Sequence, residues 1–293
     1  MLIRETAGSA IQSMVFSPDG ETLVTAASTE NRIQLWRGPF LDQSTQLLGG
    51  SSVVFSPSGR YLLTGSIFGH LGIHDMGDPL SKERLIVFPG PISGIAFVGR
   101  EQMVVALGQA GVAGHYPTSL WLLKIQSDTP QRLPVDCRSG VRAIVGYPDR
   151  RLVVWVTDNK WLYVQDITRA PAKPHALKKD CRAIALSPDG KFLAVTADWD
   201  VLLFDVEKWP SVPRIIGRHT GMVTCLAFTP DGRTLLSGGW DETVRTWDVR
   251  ETRPPTAFAW PVGRVTSLAV APDGLRAVVG GETGTLSVWD LDD

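Results

Sequence analysis

Short runs in which apolar residues tend to alternate with polar or small ones recur along the whole chain. Val223-Thr224-Cys225-Leu226-Ala227-Phe228 is one, followed a few residues later by Thr234-Leu235-Leu236-Ser237. A two-residue period sends successive side chains to opposite faces of a strand, and the Val, Leu, Thr and Phe content suits a pleated, half-buried surface. A third run then follows, ending in an aromatic or polar residue before Asp: Ile33-Gln34-Leu35-Trp36, Leu71-Gly72-Ile73-His74-Asp75, Leu120-Trp121-Leu122-Leu123, Leu162-Tyr163-Val164-Gln165-Asp166, Val201-Leu202-Leu203-Phe204-Asp205, Val244-Arg245-Thr246-Trp247-Asp248 and Leu286-Ser287-Val288-Trp289-Asp290. No segment sustains a helical period, so the expected fold class is all-β.

The joint between the first two runs has its own grammar. Phe16-Ser17-Pro18-Asp19-Gly20 returns as Phe55-Ser56-Pro57-Ser58-Gly59, Leu186-Ser187-Pro188-Asp189-Gly190, Phe228-Thr229-Pro230-Asp231-Gly232 and Val270-Ala271-Pro272-Asp273-Gly274, with Tyr147-Pro148-Asp149-Arg150 as a weaker copy. Proline presets φ for the second position of a turn, aspartate tolerates the third, and glycine accepts positive φ at the end, which joins two strands in a hairpin. The prolines recur about every 40 residues. The one double-length gap, between Pro57 and Pro148, has Phe97-Val98-Gly99-Arg100 midway as a degenerate copy. Seven repeats result, at approximately 10–37, 50–76, 91–125, 140–167, 181–206, 221–249 and 263–291.

With seven in-phase copies, and with Arg218-His219-Thr220-Gly221 through Trp247-Asp248 close to the family pattern, the chain resembles the WD40 (WD-repeat) family, in particular its bacterial members with regular Pro-Asp-Gly hairpins. The resemblance implies one seven-bladed β-propeller domain over residues 1–293, with four antiparallel strands per blade. One N-terminal strand, three strands in the first repeat and four in each of the next six make twenty-eight. Residues 2–6 are therefore expected to complete the last blade and close the ring, protecting an otherwise open edge. Strand reversal puts every Pro-Asp-Gly turn at one end of the blades, the bottom, and the connections between second and third strands at the top.

Composition narrows the function classes. The 29 Lys+Arg and 30 Asp+Glu leave a net charge of −1, without the basic excess expected of a nucleic-acid or membrane-surface binder. A hydrophobic content of 43% supplies a sizeable core. Met1 to Gln12 lacks a basic segment followed by a long apolar run, and apolar stretches are strand-sized, so a cytoplasmic protein is expected. Cys137, Cys181 and Cys225 are odd in number and form no CxxC pair; they read as buried free thiols. His70, His74, His115, His175 and His219 show no ligand spacing, and Gly108 to Gly114 is no phosphate loop, so neither metal nor cofactor is expected.

The candidate chemistry is that of recognition. In the family a hydrogen-bonded tetrad ties a blade together, and the matching residues here are His219, Ser237, Asp241 and Trp247. Thr25 and Thr64 stand where Ser237 does, whereas Trp155, Val195 and Val279 are not equivalent. The candidate partner-binding residues at the top are Trp199 and Trp240, in related loops of blades five and six, with Arg218 beside them. Phe68, His70, Trp161 and, in the long segment 109–119, Tyr116 extend the set. Trp and Arg are frequent interface anchors. The basic, Pro-rich segment 169–175 reads as a solvated connection. The expected function is a non-catalytic protein- or peptide-binding scaffold, monomeric outside a larger assembly. The alternatives are a propeller-type small-molecule hydrolase such as a lactonase and a self-associating structural module.

Overall fold

The structure is a computed structural model that describes residues 2–5, 9–27, 32–38, 41–78, 82–108, 118–135, 139–147, 151–169, 174–250 and 254–291. Tyr116, His115, Cys137, the weak turn at 148–150 and most of the basic segment lie outside the described residues. Twenty-eight strands in seven antiparallel four-stranded sheets are present among the described residues. By contact density the chain divides into two compact units, residues 1–47 with 182–293, and residues 48–181.

The second unit holds blades two to four. Blade two is β6 (Ser52–Phe55), β7 (Tyr61–Gly65), β8 (His70–Asp75) and β9 (Arg84–Val87); blade three is β10 (Ile92–Phe97), β11 (Gln102–Leu107), β12 (Ser119–Lys124) and β13 (Gln131–Arg132); blade four is β14 (Val141–Tyr147), β15 (Leu152–Thr157), β16 (Trp161–Asp166) and β17 (His175–Ala176). Leu63, Ile73, Ile95, Val105 and Leu123 pack blade two on blade three, and Val104, Leu120, Val141 and Trp155 pack three on four. Val98-Gly99-Arg100 does connect two strands, β10 and β11, as its spacing predicts.

The first unit holds the other four. Blade one is β2 (Ile11–Phe16), β3 (Thr22–Ala27), β4 (Arg32–Arg37) and β5 (Gln43–Leu48). Blade five is β18 (Ile184–Leu186), β19 (Phe192–Ala197), β20 (Asp200–Asp205) and β21 (Arg214–Arg218). Blade six is β22 (Val223–Phe228), β23 (Thr234–Gly239), β24 (Thr243–Asp248) and β25 (Thr256–Ala259). Blade seven takes three strands from the end of the chain, β26 (Val265–Val270), β27 (Arg276–Gly281) and β28 (Thr285–Asp290), and its fourth, β1 (Leu2–Glu5), from the beginning. Leu2 pairs with Val288 and Glu5 with Thr285, so the expected completing strand is in place.

The turn motif has a hydrogen-bonding reason beyond its dihedrals. Ser17 Oγ donates to Asp19 Oδ1 (2.5 Å) and accepts from Thr22 N (2.9 Å); Ser187 with Asp189 and Thr229 with Asp231 repeat the pattern at 2.6 Å. The hydroxyl thus fixes the carboxylate and starts the next strand, which explains why Ser or Thr precedes the proline in four of the five full copies. Gly20, Gly190, Gly232 and Gly274 all have φ between 67° and 77°, as the turn demands. The turns of the first unit also share one end. A Cβ on Gly232 would stand 3.6 Å from Pro188, on Gly274 3.6 Å from Pro230, and on Gly20 3.5 Å from Pro272.

Neighbouring blades are tied by a second device. β22 and β26 carry a bulge after their first residue, which frees Thr224 and Thr266 from the ladder. Thr224 Oγ1 donates to Val265 O (2.6 Å) and Thr266 Oγ1 to Ile11 O (2.7 Å), linking blade six to seven and seven to one. Cys181 and Cys225 are buried and outside any disulfide, and burial pushes the Cys225 thiol up to about 12.

Candidate functional site

The turns opposite the Pro-Asp-Gly end of blades five and six are fixed by a polar network. His219 leaves β21 and is 1% exposed; its Nδ1 lies 2.9 Å from Asp241 Oδ1 and its Nε2 2.7 Å from Ser237 Oγ, while Trp247 Nε1 donates to the same hydroxyl at 2.7 Å. The indole can only donate, so Ser237 accepts from it and its own O–H donates a hydrogen bond to Nε2. The imidazole is then neutral, with its proton on Nδ1, donating to an ionised Asp241. Burial lowers the His219 pKa, against the pull of Asp241. Burial raises the Asp241 carboxyl, but hydrogen bonds from His219, Thr220 and Thr243 outweigh it and hold the group at about 2. The Trp247 ring lies directly over Gly217 of β21, where any Cβ would collide with it.

These shifts set a pH dependence. Below the ordinary histidine value of 6.5 the unfolded chain takes up a proton that folded His219 refuses, and below 3.8 it takes up another that folded Asp241 refuses until about pH 2. Both contributions are present at neutral pH and are lost on acidification. His74, lowered by burial against Glu83, acts in the same direction in the upper window. The melting temperature is expected to fall from pH 7 to pH 5, and less steeply in His219→Gln; an unchanged slope in scanning calorimetry would contradict this assignment.

The network places the exposed tryptophans. His219 N donates to Trp199 O (2.8 Å), Val223 N to Asp198 O (2.9 Å) and Trp240 N to Met222 O (2.9 Å), so both turns are pinned by their backbones while their rings face solvent. Trp199 is 49% exposed and Trp240 39%. Arg218 ends β21 opposite Asp200 and grips that carboxylate at 2.6 Å; Arg245 Nη1 donates to Arg218 O (2.9 Å). Two further cations hold Trp240. The guanidinium of Arg182, entering blade five, lies 4.9 Å from its ring centre, and that of Arg264, entering blade seven, 5.2 Å away.

Trp199, Trp240 and Arg218 therefore sit in one hydrogen-bonded neighbourhood. Phe68 and His70 lie in blade two of the second unit, both exposed, with ring centres 6.5 Å apart; Trp161 opens β16 of blade four and is partly covered. Tyr116 lies outside the described residues. Sequence reasoning missed Arg182 and Arg264. A usable signal existed for the first, because Arg142 and Arg182 stand where four of the other repeats have a small hydroxyl residue, Ser51, Ser93, Thr224 and Thr266.

Elsewhere the tetrad is replaced rather than merely lost. Blade one keeps half of it, Trp36 Nε1 donating to Thr25 Oγ1 at 3.0 Å, a second polar tie that the sequence reading did not credit. In blade two His74 faces Glu83 (3.6 Å), and in blade four Trp155, in the Ser237 position, stacks on Tyr163 at 4.7 Å. Among the described residues no three His, Cys, Asp or Glu side chains are grouped to hold a metal ion.

Seven four-stranded antiparallel sheets in this chain order define a β-propeller. The pattern of the WD40 family (WD domain, G-beta repeat) matches four stretches of the chain, residues 2–37, 172–205, 211–248 and 258–290. The same fold is found in the β-propeller domain of Cps50 (Swd1) from Myceliophteria thermophila, with a TM-score of 0.80 at 18% identity over 98% of both chains. The WD40 propeller of Doa1 gives 0.78 at 15% identity, over 98% of this chain and 95% of that one. Among curated proteins, Actin-interacting protein 1 of Drosophila melanogaster is 28% identical over 67% of this chain and 32% of its own length. Protein groucho of the same fly is 31% identical over 39% of this chain and 16% of its own length; transcription factor unc-37 of Caenorhabditis elegans is 39% identical over 25% and 12%. The chain thus spans a third or less of these relatives.

Proposed function

We propose that this chain is a single-domain, non-catalytic scaffold that binds a protein or peptide through the turns of blades five and six. The observation that carries the reading is the pair Trp199 and Trp240, whose backbones are locked while much of each ring remains in water. Rigid aromatic anchors flanked by arginine lose little entropy on binding and bury large areas. A non-catalytic role is supported by Ser237, which is fully buried and already accepts from Trp247, so it is not placed to attack a substrate. Relatives point the same way, since one is named for interacting with actin. Phe68, His70, Trp161 and Tyr116, all in the second unit, are separate candidate contacts in this reading.

The near-neutral charge supports a partner other than nucleic acid or a membrane, and the same reading takes the protein to be a cytoplasmic monomer. Among the described residues no helix is long and apolar enough to cross a membrane. The regular Pro-Asp-Gly hairpins support the likeness to bacterial family members; the curated relatives named above are animal proteins.

Affinity purification from the native host with wild type and Trp199→Ala/Trp240→Ala tests the assignment. Loss of two anchors is expected to reduce partner recovery roughly tenfold or more at unchanged fold. Equal recovery would move the binding surface elsewhere.

A further inference from the structure

On the Pro-Asp-Gly side of blades six and seven lies a cavity of about 550 Å³, a volume ordinary for a ligand site. Its inner wall is aromatic: Trp289 of β28 packs on Phe258 of β25 with ring centres 4.4 Å apart. The hydroxyl-bearing residues Thr234 and Thr246 line the blade-six side, and Asp231 and Asp273 stand at the turns.

Two features of the repeat explain why the cavity forms here. Trp289 occupies in blade seven the register of Trp247 in blade six, but Val279 replaces Ser237, so no hydroxyl anchors its indole at that point. Thr246 is the stronger departure. In the six other repeats the residue before the Trp position is apolar, namely Leu35, Ile73, Leu122, Val164, Leu203 and Val288. A threonine in that place leaves volume that the Leu or Ile of four other repeats would fill, and, unlike the isosteric Val of the remaining two, it brings a hydroxyl to an otherwise apolar interface between blades.

The charges select the occupant. Asp273 Oδ2 is taken by Arg276 at 3.0 Å. Asp231 spends Oδ1 on Thr229 and Arg233 N, and its Oδ2 makes no hydrogen bond among the described residues. The hydrogen bond from Thr229 holds the Asp231 carboxyl below its ordinary value, so it is ionised at neutral pH, with Arg233 and Arg250 in its field. An aromatic wall with one open carboxylate beside the Thr234 and Thr246 hydroxyls suits a long side chain that is apolar along its stem and cationic at its tip.

We propose that this groove between blades six and seven binds a lysine side chain of a partner polypeptide, its methylenes against Trp289 and Phe258 and its ammonium on Asp231 and the threonine hydroxyls. The site lies at the opposite end of the blades from Trp199 and Trp240 and does not depend on their role.

Amide NMR titration of the intact chain with the peptide acetyl-Gly-Ser-Lys-Ser-Gly-amide, and with its norleucine and glutamate counterparts, tests this. The lysine peptide is expected to give saturable shifts at Asp231, Thr246 and Gly274, with the norleucine peptide roughly tenfold weaker. Thr246→Leu installs the residue found in three of the other repeats, so it is expected to weaken the lysine peptide at least about fivefold without lowering the melting temperature. Asp231→Asn keeps the Oδ1 acceptor of the turn and is expected to weaken it similarly. Trp199→Ala/Trp240→Ala is expected to bind as wild type, which separates this site from the other face. Equal binding of the norleucine or glutamate peptide, unchanged affinity in Thr246→Leu, or no saturable shift at these amides overturns the proposal.

Discussion

Asp241→Ala is expected to destabilise the chain by roughly 3 kcal/mol, because it strands a buried imidazole N–H and removes the acceptor of Thr220 N and Thr243 Oγ1 at once. For a chain of this size that corresponds to about 6 °C in Tm. The loss does not stop at stability. Asp241 sits beside Trp240 in the turn between β23 and β24, so loosening its carboxylate frees the turn and one of the two proposed anchors. Asp241→Asn retains an acceptor and is expected to lose less than half as much. Calorimetry of the two variants decides the point: equal losses would mean that the ionised carboxylate contributes nothing beyond its shape.

Removing residues 1–8 is expected to have a larger effect. The ladder from Leu2–Glu5 to β28 disappears, at about 1 kcal/mol for each backbone hydrogen bond, and β28 becomes an edge with open N–H and C=O groups. The same edge sits beside Leu286 and Val288, so the truncated chain is expected both to melt about 8 °C lower and to associate. Light scattering coupled to size exclusion, with a melting curve, reads both effects. A truncated chain that stays monomeric with an unchanged Tm would mean that blade seven holds without its fourth strand.

The fold was legible because its information is local and repeated. Thr229-Pro230-Asp231-Gly232 specifies a turn by its own dihedrals and hydroxyl, and even the degenerate Val98-Gly99-Arg100 could be placed by spacing. The tetrad of blade six was equally readable, since its four residues all fall within the single stretch 218–248 that carries the family pattern. What escaped notice depends on contacts between repeats. Arg182 and Arg264 reach Trp240 from the segments entering two other blades, and Gly217 matters only because the Trp247 ring lies over it. The outer strands β13 and β17 are two residues long, too short to carry any period. Thr246 was visible all along as an apolar position broken in one repeat of seven, but its meaning requires the neighbouring blade.

The pairing of β1 with β28 also sets an order in time. At a synthesis rate of about 5–20 residues per second, the first strand emerges from the ribosome some tens of seconds before its partner exists. During that interval Leu2–Glu5 has no ladder to join, while the hairpins of blades one to six can form from neighbours already made. Blade seven, and with it one wall of the groove beside Thr246, is therefore completed after blades one to six.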